Sequence, residues 1–378
     1  MPGPVMDRYG RFFESVLFPL WETGLRGRAT PSLVRQLERS QWRSRDEIEA
    51  LREGALRRLI EHAFHNVPFY RARFESLSLK PEDVRSVADL ARLPELTRAQ
   101  AIESSAARRS QREPLATIAK STVGTTDRPM HFGYDAGSEE FRQAIKLRGW
   151  GWAGYRLGAP TIFYWPLPQT PPSPKSIKIA LDRALKRERY LDCTRRTPAA
   201  LDAVAATLRR APPDTLIGLS RALGDLARHI NDNGLRHWET IPTICCAERL
   251  EPEDRAAIAA AFGPSVYETY GSRELMLIAA ECEAHKGMHI SAENVIVEVV
   301  VREEGGGSRP AQPGEVGDVL LTDLHNLGMP FIRYAIGDRA ILAPEGICPC
   351  GRALPKIASI AAFASMTVCP EMTASDAA

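Results

Sequence analysis

The stretch Ile241-Pro-Thr-Ile-Cys-Cys-Ala-Glu-Arg-Leu250-Glu-Pro-Glu-Asp-Arg-Ala-Ala-Ile-Ala-Ala260-Ala-Phe-Gly-Pro-Ser-Val-Tyr-Glu-Thr-Tyr270-Gly-Ser-Arg-Glu274 decides the fold. Residues 241–246 read as a buried strand, 251–262 as a helix and 266–270 as a second strand. Upstream the alternation continues: strand 159–165, helix 198–211 with proline at its start, strand 215–219, then helix 220–233 closed by Asn233-Gly234. Strands and helices alternating at this spacing predict a mainly parallel sheet with flanking crossover helices, an α/β architecture. Ligands of such sheets bind beyond the carboxyl ends of the strands. That rule selects the loops Ala247-Glu248-Arg249 and Gly271-Ser-Arg-Glu274.

Towards the N-terminus, residues 32–74 read as helices, with Leu51, Ala55, Leu56, Leu59, Ile60 and Ala63 on one face and Pro68 as the stop. Thr97 caps a short helix, and Ser138 is the expected cap of a helix over 138–151. The apolar run Leu275 to Ala280 reads as a helix behind Glu274. After Gly287, runs at 289–290, 295–301, 316–321 and 340–342 predict strands without intervening helices. The division expected is a helical region 1–115, an α/β core 116–287, a β-rich subregion 288–365 and a tail 366–378. Residues 166–176 and 303–314 read as irregular.

The 378 residues are 44% hydrophobic and 25% charged, with a formal net charge of +2, the balance of a globular chain without a bulk electrostatic preference for nucleic acid. The basic run 183–189 reads as a solvated helix face. Seven cysteines and no secretory signal argue for reduced thiols and a cytoplasmic location. The apolar run Val16 to Trp21 is short and broken by Pro19, so neither a signal peptide nor a membrane span is expected, and no nucleic-acid or membrane partner.

Three further features carry chemistry. Lys120-Ser-Thr-Val-Gly-Thr-Thr-Asp-Arg-Pro-Met-His131 gathers Ser121, Thr122, Gly124, Thr125 and Thr126, whose hydroxyl and backbone N–H groups suit phosphate oxygens. Phe331-Ile-Arg-Tyr-Ala-Ile-Gly-Asp338 ends in a carboxylate able to accept from two hydroxyls. Cys282, His289, Cys348 and Cys350 supply three sulfurs and an imidazole, a zinc-type set if the segments meet, with His285 as a substitute for His289 and separate buried thiols as the other reading.

Taken in order, Lys120–His131, Tyr267-Glu-Thr-Tyr-Gly-Ser-Arg-Glu274, Phe331–Asp338 and Cys348-Pro-Cys-Gly-Arg352 resemble the motif series of adenylate-forming enzymes, in the phenylacetate–CoA ligase-like branch. Leu56 to Tyr70 and Leu93-Pro-Glu-Leu-Thr-Arg98 extend the resemblance, which runs to about Ile357. The resemblance implies a large adenylation domain that joins a small carboxylic acid to ATP with Mg²⁺. Ser121, Thr122, Gly124, Thr125, Thr126 and Arg128 would meet the phosphates. Glu274 would contact Mg²⁺; Tyr270 and Gly271, with Ala247 and Glu248, would flank the adenine. Asp338, with Arg333 in its motif, would take the ribose. Thr125, Arg128 and Glu274 are the catalytic expectations, with structural Zn²⁺ on the cysteines and His289. The acceptor expected is CoA or a carrier protein.

The chain departs from the family at Val123 and Asp127-Arg128, where Ser and Gly-Lys are usual. It also departs at Ala361 to Ser365, in place of the usual hinge, and Lys356 is its last lysine. A small C-terminal domain is expected to be lacking, with slow adenylation by the chain alone and a separate domain or partner protein completing thioester formation. The alternative class is a non-catalytic nucleotide-binding or partner-binding homologue. Trp150, Trp152, Tyr164 and Trp165 read as core packing rather than as an acid pocket.

Overall fold

The computed structural model describes residues 7–112, 117–122, 129–167, 174–304 and 307–362. Its helices are α1 (Arg8–Phe12), α2 (Thr30–Ser40), α3 (Arg45–Asn66), α4 (Pro68–Ser76), α5 (Arg98–Glu103), α6 (Ala136–Trp152), α7 (Pro174–Lys186), α8 (Pro198–Arg210), α9 (Ser220–Asp232) and α10 (Pro252–Phe262). Wider π-type turns, Phe13–Leu17 and Leu20–Leu25, continue the path of α1. The strands are β1 (Thr117–Thr122), β2 (Met130–Asp135), β3 (Thr161–Trp165), β4 (Glu188–Asp192), β5 (Thr215–Leu219), β6 (Thr243–Cys246), β7 (Val266–Ser272), β8 (Met276–Glu281), β9 (Met288–Ile290), β10 (Val295–Arg302), β11 (Ser308–Pro310), β12 (Val316–Asp323), β13 (Tyr334–Leu342) and β14 (Lys356–Ala362).

Twelve strands form one sheet in the order β11-β10-β12-β13-β14-β9-β8-β7-β6-β5-β3-β4, while β1 and β2 form a separate antiparallel pair. Strands β4, β3, β5, β6 and β7 are parallel. From β7 through β8 onward every pairing is antiparallel. The helix-free texture after Gly287 is therefore the antiparallel half of the same sheet. The parallel half is buried against α8, α9 and α10 through Leu201, Leu223, Leu226, Ile230, Ile258 and Phe262. Of the expected face of α3, Ala55, Leu56, Leu59, Ile60 and Ala63 pack with α4 against Ile296, Leu324 and Ile332, while Leu51 stays half-buried outside that cluster. Trp150 sits among Tyr155 and Phe163, and Tyr164 lies in the core beside α8 and α9, as expected of packing.

Two local expectations change. The run 275–280 is mostly strand β8, hydrogen-bonded between β7 and β9, not a helix. An unbroken apolar run has no periodicity to separate the two states, and the two neighbouring strands decide it. Helix α6 is capped by Asp135, whose carboxylate accepts from Ser138 N at 3.0 Å, so Ser138 lies inside the first turn. Pro68 marks the stop of the preceding helix as expected, since α3 ends at Asn66, and it is also the first residue of α4. The capping box of Thr97 and Gln100 on α5 is as the sequence predicts.

Candidate active site and cysteine–histidine cluster

The segments singled out in the sequence meet at the junction of the two halves of the sheet. Strand β7 runs into the turn Arg273-Glu274 and returns as β8. A Cβ on Gly271 would lie 2.2 Å from the Met276 carbonyl oxygen, so this close return demands glycine. The parallel ladder of β6 and β7 ends at the pair Cys245↔Glu268, and Ala247 opens the loop after β6. On the antiparallel side, Leu96 is bridged to Tyr334: its N–H donates to the Arg333 carbonyl and its carbonyl accepts from Ala335 N, at 2.9 and 3.0 Å. That bridge carries Arg98 to the same junction.

The two downstream motifs are interlocked. The Tyr270 hydroxyl donates to Asp338 Oδ2 at 2.8 Å, and the Tyr334 hydroxyl donates to Glu274 Oε1 at 3.3 Å. Burial pushes both phenols above their ordinary range, so each stays a donor. Glu274 and Asp338 are both buried, at 5% exposure, carboxylates placed where only partners justify them. Arg98 closes the arrangement. Its Nη2 donates to Thr122 Oγ1 at 3.0 Å, and its Nη1 lies 3.9 Å from Glu274 Oε1. Thr122 pairs with Met130 across the β1–β2 ladder, and Ser121 with His131. Gly124, Thr125, Thr126, Asp127 and Arg128 lie outside the described residues.

Arg142 of α6 braces this centre from behind. It donates to Ser138 Oγ at 3.1 Å, to the Glu274 carbonyl at 2.5 Å and to Asp323 Oδ2 at 2.5 Å, with Tyr134 against its guanidinium. Backbone strain gathers here too. Among the described residues, Ala247, Met276 and Arg333 are three of six non-glycine positions with positive φ. Left-handed backbone at such residues costs about 1–3 kcal/mol each and persists where surroundings enforce it.

Two sequence-selected residues are engaged elsewhere. Arg333 is turned from Asp338 towards Glu298, with its Nη2 at 3.0 Å from the carboxylate and its Nη1 on the Leu93 carbonyl at 2.6 Å. Glu248 accepts from Arg221 N at 2.9 Å in the first turn of α9. Arg98, Arg142 and Tyr334 were missed as functional candidates. Only Tyr334, inside its motif, had a local signal.

The second constellation lies beyond β8. Cys282, His289, Cys348 and Cys350 present one donor each, all within 4.8 Å of one another. Cys282 Sγ and Cys348 Sγ are 3.8 Å apart, and Cys350 Sγ and His289 Nε2 are 3.3 Å apart. Two sulfurs about 2.3 Å from a shared tetrahedral zinc are separated by roughly 3.8 Å, so the donor set fits that ion. His289 Nδ1 is 3.3 Å from the Leu354 carbonyl; donating there leaves Nε2 as the ligand nitrogen. Burial holds the imidazole down to about 4, hence neutral, and pushes Cys282 up to about 12. His285 instead pairs with Glu281 at 3.5 Å.

No family model matches the chain. It is 25% identical to the phenylacetate–coenzyme A ligase of Escherichia coli (strain K12) over 325 residues, 79% of this chain and 68% of that protein. The phenylacetate–coenzyme A ligase of Aromatoleum evansii is also 25% identical, over 86% of this chain and 72% of its own. Among solved structures, 2-hydroxyisobutyryl-CoA ligase in the postadenylation state superposes with a TM-score of 0.66 at 19% identity, covering 85% of this chain and 69% of the other. Its open conformation gives 0.66 at 20% identity, over 87% and 78%. With the ordered motifs meeting at one strand-end junction, the chain is similar to phenylacetate–CoA ligases over most of its length and shares the fold of 2-hydroxyisobutyryl-CoA ligase, which supports the phenylacetate–CoA ligase-like branch of the adenylate-forming enzymes.

Proposed function

We propose that this chain activates a carboxylic acid as its acyl-adenylate, using ATP, and passes the acyl group to a thiol such as that of CoA. The observation that carries the reading is the crossed pairing Tyr270–Asp338 and Tyr334–Glu274, which gathers a ribose acceptor, a metal-type carboxylate and the Arg98–Thr122 pair in one place. An ionised Asp338 keeps acceptor capacity beyond the Tyr270 bond and can receive the ribose hydroxyls. Ser121 and Thr122 meet the phosphates, together with the loop residues up to Arg128. The substrate carboxylate attacks the α-phosphorus and pyrophosphate leaves. The charge that builds on the phosphoryl oxygens is met by Arg98 and the Thr122 hydroxyl, already oriented against each other before reaction. Glu274 offers the hard oxygen donor that Mg²⁺ prefers, and Mg²⁺ bound there supplies charge neutralisation for the phosphates. Arg142 fixes the Glu274 backbone, and so the direction of its carboxylate.

Acid-dependent exchange of labelled pyrophosphate into ATP, run over aryl and small aliphatic acids, tests this directly. ATP binding with no exchange for any acid would favour a non-catalytic nucleotide binder instead. Asp338→Ala should weaken ATP about 10–100-fold, the loss of a charge-assisted hydrogen bond. Tyr270→Phe, which removes only the phenol contact, should cost less. Equal ATP affinity in Asp338→Ala would remove the ribose assignment.

The cysteine–histidine set is proposed to hold a structural zinc that ties the turn before β14 to β8 and β9. Protein purified without chelator should carry stoichiometric zinc by elemental analysis. Cys350→Ser should lower both metal content and melting temperature. Metal-free protein with unchanged melting would eliminate the zinc.

A further inference from the structure

Residues 7–28 and helix α7 share a feature that the ligase reading does not use. Thirteen large hydrophobic side chains are exposed among the described residues, and eight of them lie on these two segments. Phe12, Val16 and Leu20 recur every fourth residue, at 49%, 45% and 58% exposure, with Trp21 and Leu25 beside them. On the opposite side of the same turns, Tyr9, Phe13, Leu17 and Phe18 pack against Phe163 and Ile217, so the segment is anchored and its outer row is presented. Helix α7 repeats the pattern with Ile177, Leu181 and Leu185, at 68%, 62% and 48%. The two segments are joined: the Tyr9 hydroxyl donates to the Leu185 carbonyl at 2.6 Å, and Arg187 pairs with Asp7 at 2.6 Å. Helix α7 then enters β4, the edge strand of the sheet.

We infer that this joined face binds the surface of an anionic lipid bilayer. Its charge selects that occupant. Residues 7–28 and 177–187 hold eight Lys and Arg against four Asp and Glu, an excess of four, whereas the whole chain has an excess of only two. Three of the four acids are also neutralised locally: Glu22 is buried between Arg26 and Arg28, Asp7 is held by Arg187, and Asp182 by Lys186. Arg8, Arg11 and Lys178 make no ion pair among the described residues, and Arg26 lies over the Trp21 ring at 4.8 Å. Exposed apolar rows flanked by basic side chains, with an aromatic at the margin, are the composition of helices that lie in the headgroup region. A second copy of this chain would set the same positive excess against itself, which disfavours self-association through this face. No helix of the described residues is long and apolar enough to cross a membrane, so the attachment is to one leaflet. The sequence pattern predicts no membrane partner and a solvated face for the basic run of α7; the proposed attachment departs from that expectation, because the apolar row beside the basic run is visible once the helix has a buried side and an open one.

Co-sedimentation with vesicles of phosphatidylglycerol and phosphatidylcholine, against phosphatidylcholine alone, tests the proposal. Binding is expected to the anionic vesicles, to be lost in 0.5 M salt, and to be weak on the neutral ones. Leu181→Glu and Leu20→Glu should each lower partitioning about tenfold, and so should Lys178→Glu, which reverses one charge near the surface. Circular dichroism confirms that each variant is folded, and Lys178→Glu serves if an apolar substitution is not. No binding to anionic vesicles, or equal partitioning of the wild type and Lys178→Glu, overturns the proposal. So does a dimer in sedimentation velocity that Leu181→Glu dissociates while vesicle binding is absent, which would assign the face to a second copy.

Discussion

Glu274→Gln is expected to cut acid-dependent pyrophosphate exchange by about 10²–10³-fold, the range for removing one preorganised charge-stabilising group from a reaction centre. The substitution keeps the volume and one carbonyl oxygen, so the Tyr334 hydroxyl retains an acceptor. What disappears is the negative charge 3.9 Å from Arg98 and the oxygen pair suited to Mg²⁺. The main loss should therefore fall on turnover, with a smaller change in ATP affinity, and raising the Mg²⁺ concentration should recover part of it. Stability should change little, because Glu274 is held chiefly through its backbone carbonyl by Arg142. Exchange kinetics at saturating acid, compared at several Mg²⁺ concentrations, give the measurement. A variant with wild-type turnover would detach Glu274 from the chemistry while leaving the Asp338 assignment standing.

Arg142→Met carries the largest expected effect on stability, about 3–5 kcal/mol, because it leaves Asp323 as a buried charge without its partner. Both side chains of this pair are at or below 1% exposure. The loss is one of solvation rather than of attraction: Asp323 cannot regain water, and among the described residues its carboxylate keeps the hydrogen bond from the His325 backbone N–H at 3.3 Å. The double variant Arg142→Met with Asp323→Asn should therefore be more stable than Arg142→Met alone, since the uncompensated charge is gone. Urea unfolding of the three proteins forms the cycle. Additive destabilisation would mean that the pair is not coupled as its geometry requires. Arg142→Met should also depress exchange, measured below its unfolding transition, because the Glu274 carbonyl loses its donor.

Much of the α/β half was legible from local pattern. Strand 215–219 agrees with β5 at both ends, and the helix over 251–262 and its following strand fall within a residue or so of α10 and the start of β7. Those segments carry their own signals, with proline at helix starts, Asn-Gly or glycine past the ends, and β-branched residues between. The site was legible only as separate pieces. Tyr270 and Asp338 were both selected, yet that they touch, 68 residues apart, had no sequence signal. Arg98 was quoted within a motif without a role, because nothing near it in the chain is a partner.

The sequence by itself determined the fold class, the order of the motifs and the chemical type of each candidate residue, since all of these depend on periodicity, caps and side-chain chemistry within a few positions. Tertiary structure alone decided that 275–280 is largely a strand, that Asp135 rather than Ser138 caps α6, that Arg333 turns to Glu298, and that His289 rather than His285 joins the three cysteines. In each case several local arrangements were close in free energy. The choice fell to hydrogen-bond partners and buried charges brought from distant parts of the chain, whose pairing outweighs the few tenths of a kcal/mol that local propensity supplies.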